Sequence, residues 1–437
     1  MTAPRIPNLF KVPELKEKIL FTLLCLLLYR VGAHIATPGV NVQALADFLH
    51  NQGQGTLFSL YDLFAGGSFG RATVFALGIM PYISASIVFQ LAAPVFPIVE
   101  KLQREEEGRR KITQWTRYLT VILCLFQAYG YALFTEQIPG AVAHAGFFFR
   151  LTTVLTLTTG GVFVMWLGEQ ITERGIGNGA SLLIFFSIVE RIWPETIRTI
   201  DALQAHSLTF SVLLVVLVIM VLVVAGTVAV TVAARRIPIQ IPRKVMGRGR
   251  IREGQKTFIP LRLNTANVMP IIFAQSIIIV PGTFAAFSGN QTLKHLAEYF
   301  SVTSPLYLIT SAVLIVFFAY FYTSIIFNPV DLAENLKKQG GFIPGVKPGA
   351  ATADYIDEVL SRITFPGAIF LTIIAMLPIV VSNTLNMPFG FGGTALLIVV
   401  GVALDTVQQV QQHLLLRHYD GFMKEGRVKF RGRRQYM

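Results

Sequence analysis

The stretch GIMPYISASI, Gly78 to Ile87, lies inside a long apolar run and yet carries a proline among small and hydroxylated residues. A second stretch, VMPIIFAQSI from Val268 to Ile277, repeats the order Met, Pro, any residue, Ile, any residue, Ala. A proline inside a helix removes a backbone donor and loosens the hydrogen-bond ladder, so two copies in two apolar runs point to a duplicated architecture. Where the copies fall in the chain decides what kind of duplication this is.

The chain has 437 residues, 53% of them hydrophobic and 14% charged, against about 25% charged in ordinary soluble domains. That is the composition of a polytopic membrane protein. Cys25 and Cys124 both fall in apolar runs, which supports neither a disulfide framework nor a cysteine metal site. A hydrocarbon core about 30 Å thick needs roughly 20 apolar residues per helix. This length picks out ten spans, at 19–36, 72–93, 115–134, 149–168, 180–193, 209–233, 267–288, 305–327, 365–383 and 394–414.

Loops rich in Lys and Arg face the cytoplasm. Segments 1–19, 98–117, 170–178, 235–265, 329–364 and 415–437 hold 31 of the 37 basic residues, which puts both termini in the cytoplasm. Ten spans divide five and five, and an odd number per half makes the second half cross in the opposite sense. The expected fold is therefore all-α, with ten transmembrane helices in two inverted five-helix halves around a central pathway. Its parts are a cytoplasmic segment 1–18, a first half 19–193, an external hinge loop 194–208, a second half 209–414 and a basic cytoplasmic tail 415–437. The Met-Pro copies land on the second helix of each half, where the symmetry requires them.

GTLFSLYDLFAGGSFG, Gly55 to Gly70, is apolar and helix-like but stops at Gly66 and Gly67, too short to span. It is either a re-entrant stub enclosed by protein or an amphipathic helix lying on the outer surface. Pro81 and Pro270 would loosen two helices that must part, with Ser84, Ser86, Asn267 and Gln275 lining a polar crevice; as a plainer alternative, the small and hydroxylated residues simply pack helices together. The basic loop 235–265 and the tail RVKFRGRRQYM, Arg427 to Met437, suit anionic lipid or the phosphates of RNA. The zinc-hydrolase pattern HExxH is absent from the sequence, and no enzymatic activity, cofactor or metal site is expected. Arg30 and Asp405 are the main ionisable residues within spans, which speaks against a proton-coupled transporter.

Seven stretches closely resemble the SecY family, central channel subunits of the bacterial Sec protein translocon. They are PGVN (Pro38 to Asn41), GRATVFALGIMPYISASI (Gly70 to Ile87), RRKITQWTRY (Arg109 to Tyr118), MWLGEQITERGIGNGASLLIF (Met165 to Phe185), LNTANVMPIIFAQSI (Leu263 to Ile277), FNPVDLAENLKKQGGFIPGVKPG (Phe327 to Gly349) and FGGTALLIVVGVALD (Phe391 to Asp405). The resemblance covers essentially the whole chain. It implies two halves closing like a clamshell around an hourglass pore that passes unfolded secretory proteins and releases transmembrane segments sideways into lipid. Ile79, Ile83, Ala180, Ile184, Ile272 and Ile398 would form the pore ring, Ala180 being smaller than the family's usual aliphatic residue there. The stub, about 57–67, would be the plug, with Leu57, Phe58, Leu60, Tyr61, Leu63, Phe64, Gly66 and Gly67. The lateral gate would carry Pro81, Ser84, Ser86, Ile87, Asn267, Pro270, Gln275 and Ser276.

The resemblance further implies docking of the motor ATPase SecA and of the ribosome on the loops 235–265 and 329–364. Arg243, Lys244, Arg248, Arg250 and Lys347 would serve there, Lys347 standing where the family usually has Arg. Other implied partners are SecE and SecG in a heterotrimer, signal peptides and nascent chains, membrane lipids, SecDF and YidC. A rival reading is an inverted-repeat secondary transporter of a small solute, and a third is a lipid-organising or ribosome-anchoring protein.

Overall fold

A computed structural model describes residues 13–51, 57–206, 208–240, 245–246, 250–251, 256–287, 301, 304–384 and 393–425. Helices dominate. The first half contains α1 (Pro13–Gly32), α2 (Val42–Asn51), α3 (Leu57–Phe64), α4 (Met80–Val95), α5 (Pro97–Arg104), α6 (Glu106–Glu136), α7 (Phe147–Arg174) and α8 (Gly179–Gln204). The second contains α9 (Phe210–Val232), α10 (Met269–Phe287), α11 (Pro305–Ile326), α12 (Pro329–Lys338), α13 (Ala350–Thr384) and α14 (Gly393–Glu425).

The helices show the pattern of spans that meet lipid on one face and protein on the other. On α1, Leu20, Leu23, Leu24, Leu27, Leu28 and Val31 are exposed while Thr22, Cys25, Tyr29 and Gly32 are buried, a stripe at helical spacing. Among the described residues, six helices are long and apolar enough to cross a membrane: α6, α7, α9, the α11 run, α13 and α14. A seventh candidate is the pair α4 and α5, bent by 110° at Phe96. The helices at the expected first and fifth spans do not pass as uniformly apolar segments. Lys16, Lys18 and Arg30 lie in α1, and Glu190, Arg191 and Glu195 lie in α8.

Three expected boundaries move. The second span begins at Met80 rather than 72, because residues 65–79 form consecutive turns. Helix α8 runs through Pro194 to Gln204, so most of the segment expected as a hinge loop is helical. The loop 235–265 is more than a charged connector: β1 (Ala234–Gln240) pairs antiparallel with β4 (Lys256–Arg262), and the two-residue strands β2 (Val245–Met246) and β3 (Arg250–Ile251) pair further out. In β1, Ile237 and Ile239 are buried between exposed neighbours, the period-2 alternation of a strand with one covered face. Gln240 exchanges backbone hydrogen bonds of 2.9 and 3.0 Å with Phe342. Ile237, Ile239 and Leu261 thereby join Leu336, Ile343, Ile356 and Leu360 in an apolar cluster separate from the main core.

The Met-Pro copies start helices instead of interrupting them. Pro81 sits in the first turn of α4 and Pro270 is the second residue of α10, where the missing N–H has no intrahelical acceptor to lose. Three residues before each proline the backbone turns left-handed, at Gly78 (φ +56°) and Asn267 (φ +51°). Ile83 N–H then donates to Ile79 C=O, and Ile272 N–H to Val268 C=O, both at 3.2 Å. The two halves thus repeat one backbone device, a left-handed residue followed by a Met-Pro helix start.

Helix α3 is enclosed. Leu60, Tyr61, Leu63 and Phe64 are buried in the main core together with Phe69, Phe75 and Leu77 from the turn segment that follows. This burial decides between the stub and the surface helix. Tyr61 donates its hydroxyl to Leu77 C=O (2.9 Å), Tyr131 to Phe69 C=O (3.1 Å), and Gly70 N–H to Asp62 Oδ1 (2.8 Å). Those bonds serve backbone groups that no helix ladder could satisfy.

A Cβ at Gly78 would lie 3.4 Å from the Ala65 Cα in a left-handed conformation. Gly78→Val should therefore lower the melting temperature of the detergent-solubilised protein, by the equivalent of roughly 1–2 kcal/mol. Asn267→Gly keeps that φ without strain but removes the hydrogen bond to Asp405, and should cost about 1–2 kcal/mol in the same assay. Tyr61→Phe, which leaves Leu77 C=O short of a donor, should cost about 1 kcal/mol.

Candidate functional site

The halves meet along two seams, α4 against α10 and α8 against α14, with α3 and α6 also touching α10. These four seam helices are the ones that carry the expected ring: Ile79 and Ile83 at the start of α4, Ala180 and Ile184 in α8, Ile272 in α10 and Ile398 in α14. The five isoleucines are at most 5% exposed, and Ala180 is partly buried against the same core. Ile83, Ala180, Ile184 and Ile272 line one cavity of about 270 Å³ together with Met269, Phe273 and Tyr322. Ile79 and Ile398 belong to the same core without lining it; Ile79 packs close to Gly168, where an added Cβ would come within 3.1 Å of its Cδ1.

The rest of the cavity wall is polar. Gln90, Thr113, Arg117, Glu169, Thr172, Glu173 and Asn178 contribute, and Arg117 Nε donates to Glu169 Oε1 at 2.9 Å. Asn178 caps α8 by accepting from Ser181 N–H at 3.2 Å, which fixes the helix start just before Ala180. One cavity thus joins hydrogen-bonding groups to aliphatic side chains. It offers no paired acid and base aimed at a common point. Among the described residues, no group of three or more His, Cys, Asp or Glu is placed to hold a metal ion.

The expected gate residues divide in two. Ser86 lines the cavity and accepts from Gln90 Nε2 (2.9 Å). Ser84 donates to Met80 C=O (3.0 Å) and Ser276 to Ile272 C=O (2.8 Å), so both hydroxyls are tied to their own helices instead of bridging the seam. Gln275 is buried and accepts from the Tyr307 hydroxyl of α11 at 2.9 Å. Asn267 donates to Asp405 Oδ1 of α14 at 3.2 Å, and its C=O accepts from Asn264 Nδ2 at 2.9 Å. Pro81, Pro270 and Ile87 are buried. The α4/α10 seam is accordingly apolar, its amides being held by other helices.

Helix α3 packs against α8 and α10, two of the helices that carry the expected ring residues. Phe58 stacks on Phe134 with ring centroids 4.7 Å apart, and Phe64 is 1% exposed. Leu57 opens the helix, and Gly66 and Gly67, at φ +66° and +76°, end it. A Cβ at Gly66 would approach Ser187 of α8 to 3.1 Å, so only glycine lets the stub sit this close. Of the expected docking residues, Lys347 is exposed and Arg250 opens β3, while Arg243, Lys244 and Arg248 lie outside the described residues.

Sequence reasoning missed the charges around the stub: Asp62, Glu190 and the basic residues facing them. A lone Asp in an apolar stub and a Glu-Arg pair inside a span were the signals available.

The SecY family model matches residues 73–407. The chain is 46% identical over 424 residues to the protein translocase subunit SecY of Aquifex aeolicus, covering 95% of this chain and 98% of that one. It is 44% identical over 428 residues to the protein translocase subunit SecY of Escherichia coli K12, covering 96% of each. Among solved structures it resembles a protein-conducting channel with a TM-score of 0.67 at 18% identity, covering 98% of this chain and all of that one. A SecY structure whose plug domain stabilises the closed state aligns over 98% of this chain and all of that one, with a TM-score of 0.65 at 18% identity. A family model over most of the chain, relatives 44–46% identical over nearly its full length and the channel fold converge on one conclusion: the chain belongs to the SecY family.

Proposed function

We propose that Ile79, Ile83, Ala180, Ile184, Ile272 and Ile398 form the collar of a pore between the two seams, with α3 seated beside it as its plug. The chain is a multi-pass membrane protein and a protein-conducting channel subunit, and as such it conducts without catalysing a reaction. The observation that carries the collar is that its members come from the four seam helices and are buried in one core. Aliphatic side chains at a constriction repel water and therefore hold back hydrated ions, while flexible rotamers give way to a passing polypeptide. Ala180, smaller than the other five, lines the cavity beside Ile184.

The α4/α10 seam is the lateral gate in this reading. A sufficiently apolar segment stabilises the parted state, because only that state lets it reach lipid, so opening is a population shift driven by the substrate itself. A seam closed by apolar contact suits this role, since parting it breaks no cross-seam hydrogen bond of Ser84 or Ser276. Residues 1–18, 235–265, 329–364 and 415–437 face the cytoplasm and the membrane is the cytoplasmic one, a reading supported by the clustering of basic residues.

The hairpin β1/β4 and the exposed Lys347 loop, joined through Gln240 and Phe342, would present one surface to a partner. A solved relative, the Sec61 channel, sits in a canine ribosome-channel complex, and the present chain would bind the ribosome or SecA there with SecE and SecG alongside. Because the full-length relatives are protein translocase subunits, the reading as a small-solute transporter is set aside.

Replacing Ile83 and Ile272 together by Gly should raise the ion conductance of the complex in planar bilayers while protein transport continues. Unchanged conductance would count against the collar. Cysteine pairs placed between residues 84–88 of α4 and 273–277 of α10 should cross-link and stop transport; normal transport through the cross-linked protein would displace the gate from this seam.

A further inference from the structure

The charged residues around the stub make up one connected arrangement. On α8, Ser187, Arg191 and Glu195 follow at four-residue intervals and Glu190 lies three after Ser187, so the four share a face, and this face meets the stub. Arg191 Nη1 donates to Asp62 Oδ2 of α3 at 2.9 Å, and Arg191 Nη2 lies 3.5 Å from Glu195 Oε1. Arg71, on the turn segment after α3, donates to Gly66 C=O (2.9 Å), Gly67 C=O (3.0 Å) and Glu190 Oε1 (3.1 Å). Arg30 of α1 also pairs with Glu190. The stub offers its one carboxylate and the carbonyls at the negative end of its helix, and the surrounding helices answer with guanidinium groups.

We propose that Arg191 and Arg71 are positioning residues for the plug, and that this ionic clasp sets how often the channel stands open to ions at rest. The inference rests on the reading of α3 as the plug. The clasp has two arms. One is direct, from Asp62 to Arg191. The other runs from the Gly66 and Gly67 carbonyls through Arg71 to Glu190, which Arg30 also pairs with. The Asp62 and Arg191 side chains are only 17% and 23% exposed. Removing one partner strands the other in a half-buried site when the plug is seated, and frees it into water when the plug leaves. The loss of one partner therefore tips the plug outward. Loss of both removes a single interaction, so its effect should not be the product of the two.

The test is a double-mutant cycle on the reconstituted complex: Asp62→Asn, Arg191→Gln, both together, and a variant lacking residues 57–67. Resting ion conductance per complex and protein transport are read on each. Each single variant should raise resting conductance by about tenfold, equivalent to about 1.4 kcal/mol. The double variant should stay near the level of one single variant, and transport should persist throughout. Single variants that leave conductance unchanged while the plug deletion raises it would overturn the clasp and spare the plug. A double variant equal to the product of the singles would also overturn the clasp. A plug deletion with unchanged conductance would overturn the plug reading and the clasp with it.

Discussion

Residues 65–79 are backbone without a helix ladder, buried in the middle of a helix bundle, and the rest of the architecture follows from how their polar groups are met. In an apolar medium each unsatisfied N–H or C=O costs several kcal/mol, so such a segment persists only where protein encloses it and supplies partners. The partners here come from all around: Tyr61, Asp62 and Arg71 locally, Tyr131 from α6, and a backbone bond of 2.7 Å from Thr37 N–H to Ala72 C=O. This enclosure keeps the stub inside the bundle. It also sets where α4 begins, since Tyr61 holds Leu77 one residue before the left-handed Gly78.

The stub and the start of α4 are therefore packed together: the Tyr61 hydroxyl and Ala65 abut the turn from which α4 begins, next to Ile79 and Ile83. On the other side of the seam the equivalent helix start is held by Asp405 through Asn267. The symmetry of the two halves is exact enough to place a left-handed residue, a proline and an isoleucine in register, and it is broken where function differs. The first half anchors its helix start through Tyr61 of the short helix α3, the second through Asp405 of the long helix α14.

Much of the candidate site was legible in the sequence. The Met-Pro offset pairs Ile83 with Ile272, and both line one cavity. The same offset misled about the prolines, because an apolar run reads alike whether it holds a helix or buried turns: both must exclude water, and hydrophobicity alone has no signal for a helix start within it. The serines misled for a related reason. A hydroxyl in a helix can bond across a seam or to the carbonyl four residues back, and only the structure shows that Ser84 and Ser276 do the latter.

The sequence by itself determined the class of the molecule, the charge asymmetry of its loops and, through its motifs, the family, because composition and short motifs are local properties. Tertiary structure alone decided that the stub is enclosed, that α4 starts at Met80 and that Asp62 meets Arg191. Each of these depends on groups distant in the chain that come together only when the bundle closes. A carboxylate in an apolar stub is a fault until a guanidinium from another helix arrives beside it, and no reading along one strand of sequence can say which one will.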